Sequence, residues 1–139
     1  MASISADGSV IAFQSMANDL SPDDTNANWD VFVRQLTDPH VQLISVHVDG
    51  ALKTSGNGSS NYPVLSADGT TVAFSSSANN LLSLPTTGQQ VFARNWATGT
   101  TSLVSVSTNN EGGNGPSGVF GFDEERNLPL RGLAISDDG

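Results

Sequence analysis

Val10-Ile11-Ala12-Phe13 and Val31-Phe32-Val33 are apolar at consecutive positions instead of alternating, and each run is soon closed by Ser, Arg, Asn or Asp. Short runs rich in β-branched and aromatic residues predict strands, and an unbroken apolar run predicts a strand covered on both faces. Four strands emerge per unit of about sixty residues. The first is Ser3 to Ala6, Pro63 to Ala67 and again Leu133 to Ser136; the second is Val10 to Ser15 and Thr71 to Ser76. The third is Asp30 to Leu36 and Gln90 to Trp96, and the fourth is Gln42 to Val48 and Ser102 to Ser107. Asp-Gly between the first two is a hairpin signal, because Gly accepts positive φ.

The units are copies of one another. Ser5-Ala6-Asp7-Gly8 recurs as Ser66-Ala67-Asp68-Gly69, and ten of the sixteen positions from Ser5 to Leu20 are identical at an offset of 61. Val31-Phe32-Val33-Arg34 matches Val91-Phe92-Ala93-Arg94, and Leu43-Ile44-Ser45-Val46 matches Leu103-Val104-Ser105-Val106, now at an offset of 60. A third copy starts at Ser136-Asp137-Asp138-Gly139 and stops, which predicts a piece of a longer protein. A repeat of this period made of four short strands describes an all-β protein of β-propeller blades, each a four-stranded antiparallel sheet sandwiched between neighbours. The expected division is blade 1 over 1–60, blade 2 over 61–112, and an extended loop with the first strand of a third blade over 113–139.

The order Ser-Ala-Asp-Gly, Val-Ala-Phe-Ser-Ser, an Asp- and Asn-rich loop, then Asp-Val-Phe-Val-Arg resembles the bacterial TolB-like β-propeller repeats, most closely their secreted and cell-surface branch. The resemblance covers Ser3 to Thr108 and resumes at Leu133. It implies a periplasmic, cell-surface or extracellular protein serving as a scaffold for a protein or glycan partner, or as a module beside a hydrolase domain. Such propellers close with about four to eight blades, so either a longer protein supplies the remaining blades or several copies of this chain, three for a six-bladed ring, complete one.

Composition narrows the partners. Fourteen acidic against five basic residues give a net charge of −9, which repels nucleic acid and anionic membranes. Charged residues are only 14% of the chain and cysteine is absent, so disulfides and thiolate zinc sites are excluded. No apolar run approaches a membrane span.

The loop before strand three places Asp24, Asn26, Asn28 and Asp30 at alternate positions, a spacing that curls oxygen ligands around a hard cation such as calcium. Trp29 stands where an EF-hand-like loop has Gly, and Gln35 where it has its last Glu. The other reading is that Asp and Asn turn the loop through side-chain hydrogen bonds. Copy two favours it, having Leu84, Thr86, Gly88 and Gln90 at the aligned positions.

The remaining candidates are weaker. Gly113-Asn114-Gly115-Pro116-Ser117-Gly118 has the letters of a dinucleotide fingerprint but is followed by Val119-Phe120-Gly121-Phe122, not a helix, and reads as a flexible loop. His40 and His47 lack the partners of a zinc site or a triad, and no Gly-x-Ser-x-Gly elbow is present. Arg34 and Arg94 recur with the repeat and are expected to serve it, by pairing with Asp7 or Asp68 or by covering a neighbouring blade. Trp29 and Trp96 suit packing, or stacking on a sugar if exposed. The long segment from Asn109 to Arg131 offers Phe120 and Phe122 beside Asp123, Glu124 and Glu125 as an anchor with an acidic rim. A non-catalytic interaction module is the leading expectation; a propeller attached to a hydrolase and a calcium-stabilised structural propeller are the alternatives.

Overall fold

The computed structural model describes residues 1–48, 54–118, 122–123, 128–129 and 133–139. The chain is all-β, with two four-stranded antiparallel meanders in sequence order: β1 (Ala2–Ile4), β2 (Val10–Ser15), β3 (Asp30–Gln35) and β4 (Gln42–Leu43), then β5 (Ser60–Leu65), β6 (Thr71–Ser76), β7 (Gln90–Asn95) and β8 (Thr100–Leu103). The two meanders have the strand order of propeller blades, β1–β4 making blade 1 and β5–β8 blade 2. A small antiparallel pair, β9 (Phe122–Asp123) with β10 (Leu128–Pro129), lies within the long C-terminal excursion.

The same contacts recur in both blades. Phe13 pairs with Phe32 and Phe74 with Phe92 across β2/β3 and β6/β7, with ring centroids 5.7 and 5.9 Å apart. Each Ser-x-Asp-Gly turn is built alike: Ser5 Oγ donates to Asp7 (2.6 Å) and Ser66 Oγ to Asp68 (2.6 Å), while Gly8 and Gly69 take φ of 72° and 74°. The third turn repeats the backbone bond, Gly139 N–H to the Ser136 carbonyl (3.2 Å), as Gly69 N–H bonds Ser66 (3.0 Å).

Blades stack face to face. Val10, Ala12, Val31, Val33 and Ile44 of blade 1 and Leu65, Val72, Phe74, Leu81 and Phe92 of blade 2 form one apolar cluster. The turns also join, Ala6 N–H to the Ala67 carbonyl (2.8 Å) and Asp68 N–H to the Asp137 carbonyl (3.0 Å). The third Ser-x-Asp-Gly therefore sits on blade 2 as the second sits on blade 1. All six residues of β6 are buried, as its apolar run requires, whereas β2 is fully buried only at Val10 and Ala12. The face of blade 1 away from blade 2 has no cover among the described residues.

Strands two and three lie within a residue of expectation; strands one and four do not. β1 and β5 begin and end earlier than the Ser3–Ala6 and Pro63–Ala67 readings, and β5 has a bulge between Asn61 and Val64, where Tyr62 takes φ of 58°. That bulge admits Pro63 to a strand. The fourth strands stop at Leu43 and Leu103 because a side chain takes over the ladder: the N–H groups of Val31 and Val91 donate to Ser45 Oγ (3.1 Å) and Ser105 Oγ (3.0 Å). Beyond the serines the chain turns away, forming single bridges at Val46/Ser55 and Val106/Gly112. Leu133–Ser136 forms no ladder among the described residues, where no second strand of a third unit stands beside it.

Candidate functional site

The Asp24–Asp30 loop enters the blade at Asp30, the first residue of β3, which is wholly buried. Ser45 Oγ donates to Asp30 Oδ1 (2.5 Å), and Asn26 Nδ2 donates to Asp30 Oδ2 (2.8 Å) and to the Gly56 carbonyl (2.8 Å). Asn26 Oδ1 accepts the Asn28 N–H, so the amide is oriented from both ends. Asp24 is 7% exposed; its Oδ1 accepts the Asn26 N–H at 3.4 Å, and its buried Oδ2 has no hydrogen-bond partner.

Of the four expected ligands, the structure gathers Asp24, Asn26 and Asp30, while Asn28 contributes its backbone N–H. Two carboxyls share this enclosure, and among the described residues no basic side chain is bonded to them. Burial raises the Asp24 carboxyl above its ordinary value and pushes Asp30 up to about 6; for Asp30 the hydrogen bonds from Ser45 and Asn26 oppose the shift and the Asp24 charge adds to it.

Blade 2 builds the same enclosure without charge. Gln90, also wholly buried, accepts from Ser105 Oγ (2.6 Å) and the Gly113 N–H (3.2 Å), and its Nε2 donates to the carbonyls of Thr87 (2.8 Å), Gly113 (3.0 Å) and Gly115 (3.2 Å). One glutamine does what Asp30 and Asn26 do together. Gly56 and Gly113 correspond, since their N–H groups bond the Ser45 and Ser105 carbonyls (2.7 and 3.0 Å). Gly113–Gly118 lies outside the strands and walls the Gln90 enclosure. Ser117 N–H bonds the Gln89 carbonyl (2.6 Å) as Ser60 N–H bonds that of Trp29 (2.7 Å).

This correspondence locates the extra chain length. Ser117 stands nineteen residues before Ser136, where Ser60 stands six before Ser66. The extra length thus falls between Ser117 and Ser136, the stretch that corresponds to Ser60–Ser66 in the second unit. Phe120, Glu124 and Glu125 of the expected binding loop lie outside the described residues; Phe122 and Asp123 are described only as backbone in β9.

The arginines do not pair with the turn aspartates. Ser5 and Ser9 hold Asp7, bringing its carboxyl down to about 2, and Ser66 and Thr70 hold Asp68 below its ordinary value. Arg34 Nε instead donates to the Asp38 carbonyl (3.4 Å), and Arg94 Nη1 to Thr101 Oγ1 (2.6 Å). His40 Nδ1 lies 2.8 Å from Asp38 at an exposed turn, and the Trp96 indole donates to the Gly69 carbonyl (2.7 Å), while Trp29 is exposed. No group of three or more acidic or histidine residues suited to a metal occurs among the described residues.

Ser45, Ser105, Gly56 and Gln90 escape a reading of the sequence as site residues. The recurring Leu-Ile-Ser-Val and Leu-Val-Ser-Val are the available signal for the serines. No protein-family profile and no curated protein sequence matches the chain. Among solved structures, the crystal structure of TolB from Acinetobacter baumannii is similar, at 16% identity and a TM-score of 0.48, covering 84% of this chain. The chain spans about a quarter of that protein's length, 23%.

Proposed function

We propose that this chain is a non-catalytic β-propeller module, a scaffold for a protein or glycan partner outside the cytoplasm, and that its first blade docks on a further blade of the same kind. The observation that carries the docking is a contrast between repeat-equivalent residues. Leu65 and Val72 of blade 2 are 5% and 0% exposed against blade 1, whereas Ile4 is 57% exposed and, with Ile11, Ala2 and Ser3, lines an apolar hollow of about 220 Å³. A second copy supplies the matching surface: the far face of its blade 2, where the Ser5–Gly8 turn of the incoming blade replaces Ser136–Gly139. Such a head-to-tail contact closes into a ring if the rotation permits. Light scattering is expected to show concentration-dependent assembly, abolished by Ile4→Lys, which alters an exposed side chain and leaves the blade folded. A folded wild-type chain that stays monomeric at the highest accessible concentration overturns the docking.

The orphaned Asp24 Oδ2 supports a second reading. We propose that a calcium ion is held by Asp24, Asp30 and the Gly56 carbonyl, with the Asn26 amide turned over to present its oxygen. Hard cations favour such oxygen sets. Millimolar calcium is then expected to raise Tm by several degrees in the wild type and not in Asp24→Asn. An unchanged wild-type Tm rejects the cation and leaves Asn26 as the permanent filler.

A further inference from the structure

The two repeated arginines stand in different surroundings. Arg34 is exposed on β3, donates to the Asp38 carbonyl, and contributes, after the hydrogen bonds from His40, to keeping the Asp38 carboxyl low. Blade 2 keeps the arginine and loses the acid, for Thr98 stands at the position of Asp38. Arg94 is half-buried in a cleft of about 240 Å³ between the blades, and no carboxylate faces it among the described residues. Thr101 holds its Nη1, while its buried Nε has no hydrogen-bond partner. Four apolar side chains, Val46 and Val48 leaving blade 1 and Leu81 and Leu82 before β7, line the same cleft, with His47 between the two valines.

A half-buried guanidinium with most of its five donors unused costs desolvation energy that an arriving anion recovers. A carboxylate matches the planar fork in two-point geometry, and the aliphatic walls select the chain attached to it. We propose that the inter-blade cleft is a binding site for a small aliphatic carboxylate, its anionic end on Arg94 and its branched chain against Leu81, Leu82, Val46 and Val48. The cleft holds the volume of about eight waters, at roughly 30 Å³ each, which suits a group of leucine size. Two sources share this chemistry: a free branched-chain acid and the C-terminus of a peptide ending in an apolar residue. The site depends only on the stacking of blades 1 and 2, so it stands whether or not a further blade docks or calcium binds.

The test is a titration of the ¹⁵N-labelled chain followed by NMR, with 4-methylpentanoate, its amide, and a short peptide ending in leucine with a free or amidated C-terminus. At least one carboxylate is expected to bind with Kd on the order of a millimolar or tighter, shifting the amides of Leu81, Leu82 and Thr101, with its amide about tenfold weaker. Preference for the peptide or for the free acid identifies the source. Arg94→Gln is expected to abolish binding, Arg94→Lys to retain part of it, and Arg34→Gln to retain all. Amides that bind as well as acids, or no binding at about ten millimolar, overturn the proposal on the wild-type chain alone, whatever the variants do to folding.

Discussion

Gln90→Glu is expected to destabilise the chain at neutral pH by roughly 3–5 kcal/mol, the cost of burying an uncompensated charge. One carboxylate oxygen would keep the hydrogen bonds from Ser105 Oγ and the Gly113 N–H. The other would replace Nε2 and face the carbonyls of Thr87, Gly113 and Gly115, all acceptors, in a site with no exposure. None of the described partners of Gln90 is cationic and the side chain is fully buried, so the introduced carboxyl is pushed upward and protonates as pH falls. A protonated Glu restores one donor to one carbonyl. Urea denaturation should therefore show a large loss at pH 7.5 and a smaller one at pH 5. A variant within about 1 kcal/mol of the wild type at pH 7.5 would mean that the enclosure relaxes or admits water.

The repeat, the Asp-Gly turns and the central strands are legible in the sequence because they are local: Phe13, Phe32, Phe74 and Phe92 mark their own strands and recur at near-constant spacing. Strand four is read too long because nothing in Leu43-Ile44-Ser45-Val46 announces that a serine hydroxyl takes the Val31 N–H from the ladder. The enclosure is half legible. Alternating oxygens bring Asp24, Asn26 and Asp30 to notice, but an amide has a donor face and an acceptor face, and only the three-dimensional arrangement shows Asn26 turning its nitrogen toward Asp30 and Gly56. Gly56 itself is hidden by loop length, since eight residues lie between the bridge partners Val46 and Ser55 and five between Val106 and Gly112. Aligning the units through their hydrogen bonds recovers what aligning their letters loses. The same step separates Arg34 from Arg94, which hold equivalent places in the repeat, the one exposed and the other half-buried.

Acid should stabilise this chain before it unfolds it. Asp30 carries a folded-state pKa of about 6 against an ordinary 3.8, so the folded protein binds the extra proton and stability rises as pH falls through 6, the full gain being present below 3.8. Between pH 7.5 and pH 4.5 that single group contributes about 2 kcal/mol in favour of the folded state. Asp7, Asp38 and Asp68 act in the opposite sense, since their carboxyls lie low in the folded chain and their contribution is lost only as pH drops below the unfolded value. The optimum is thus expected between about pH 4 and 5, to be measured by urea denaturation with a chelator present. Falling net charge would also favour the folded state on acidification, because the chain carries −9 at neutral pH. Two variants that each remove one carboxylate separate the causes. Asp24→Asn takes a buried charge from beside Asp30, and should raise stability at pH 7.5 and flatten the profile in part, since the burial of Asp30 itself is the larger cause of its shift; Asp19→Asn, at an exposed position, should lower overall repulsion equally and leave the profile as steep as in the wild type. If both variants flatten it to the same degree, long-range repulsion is the cause and the enclosed pair is not.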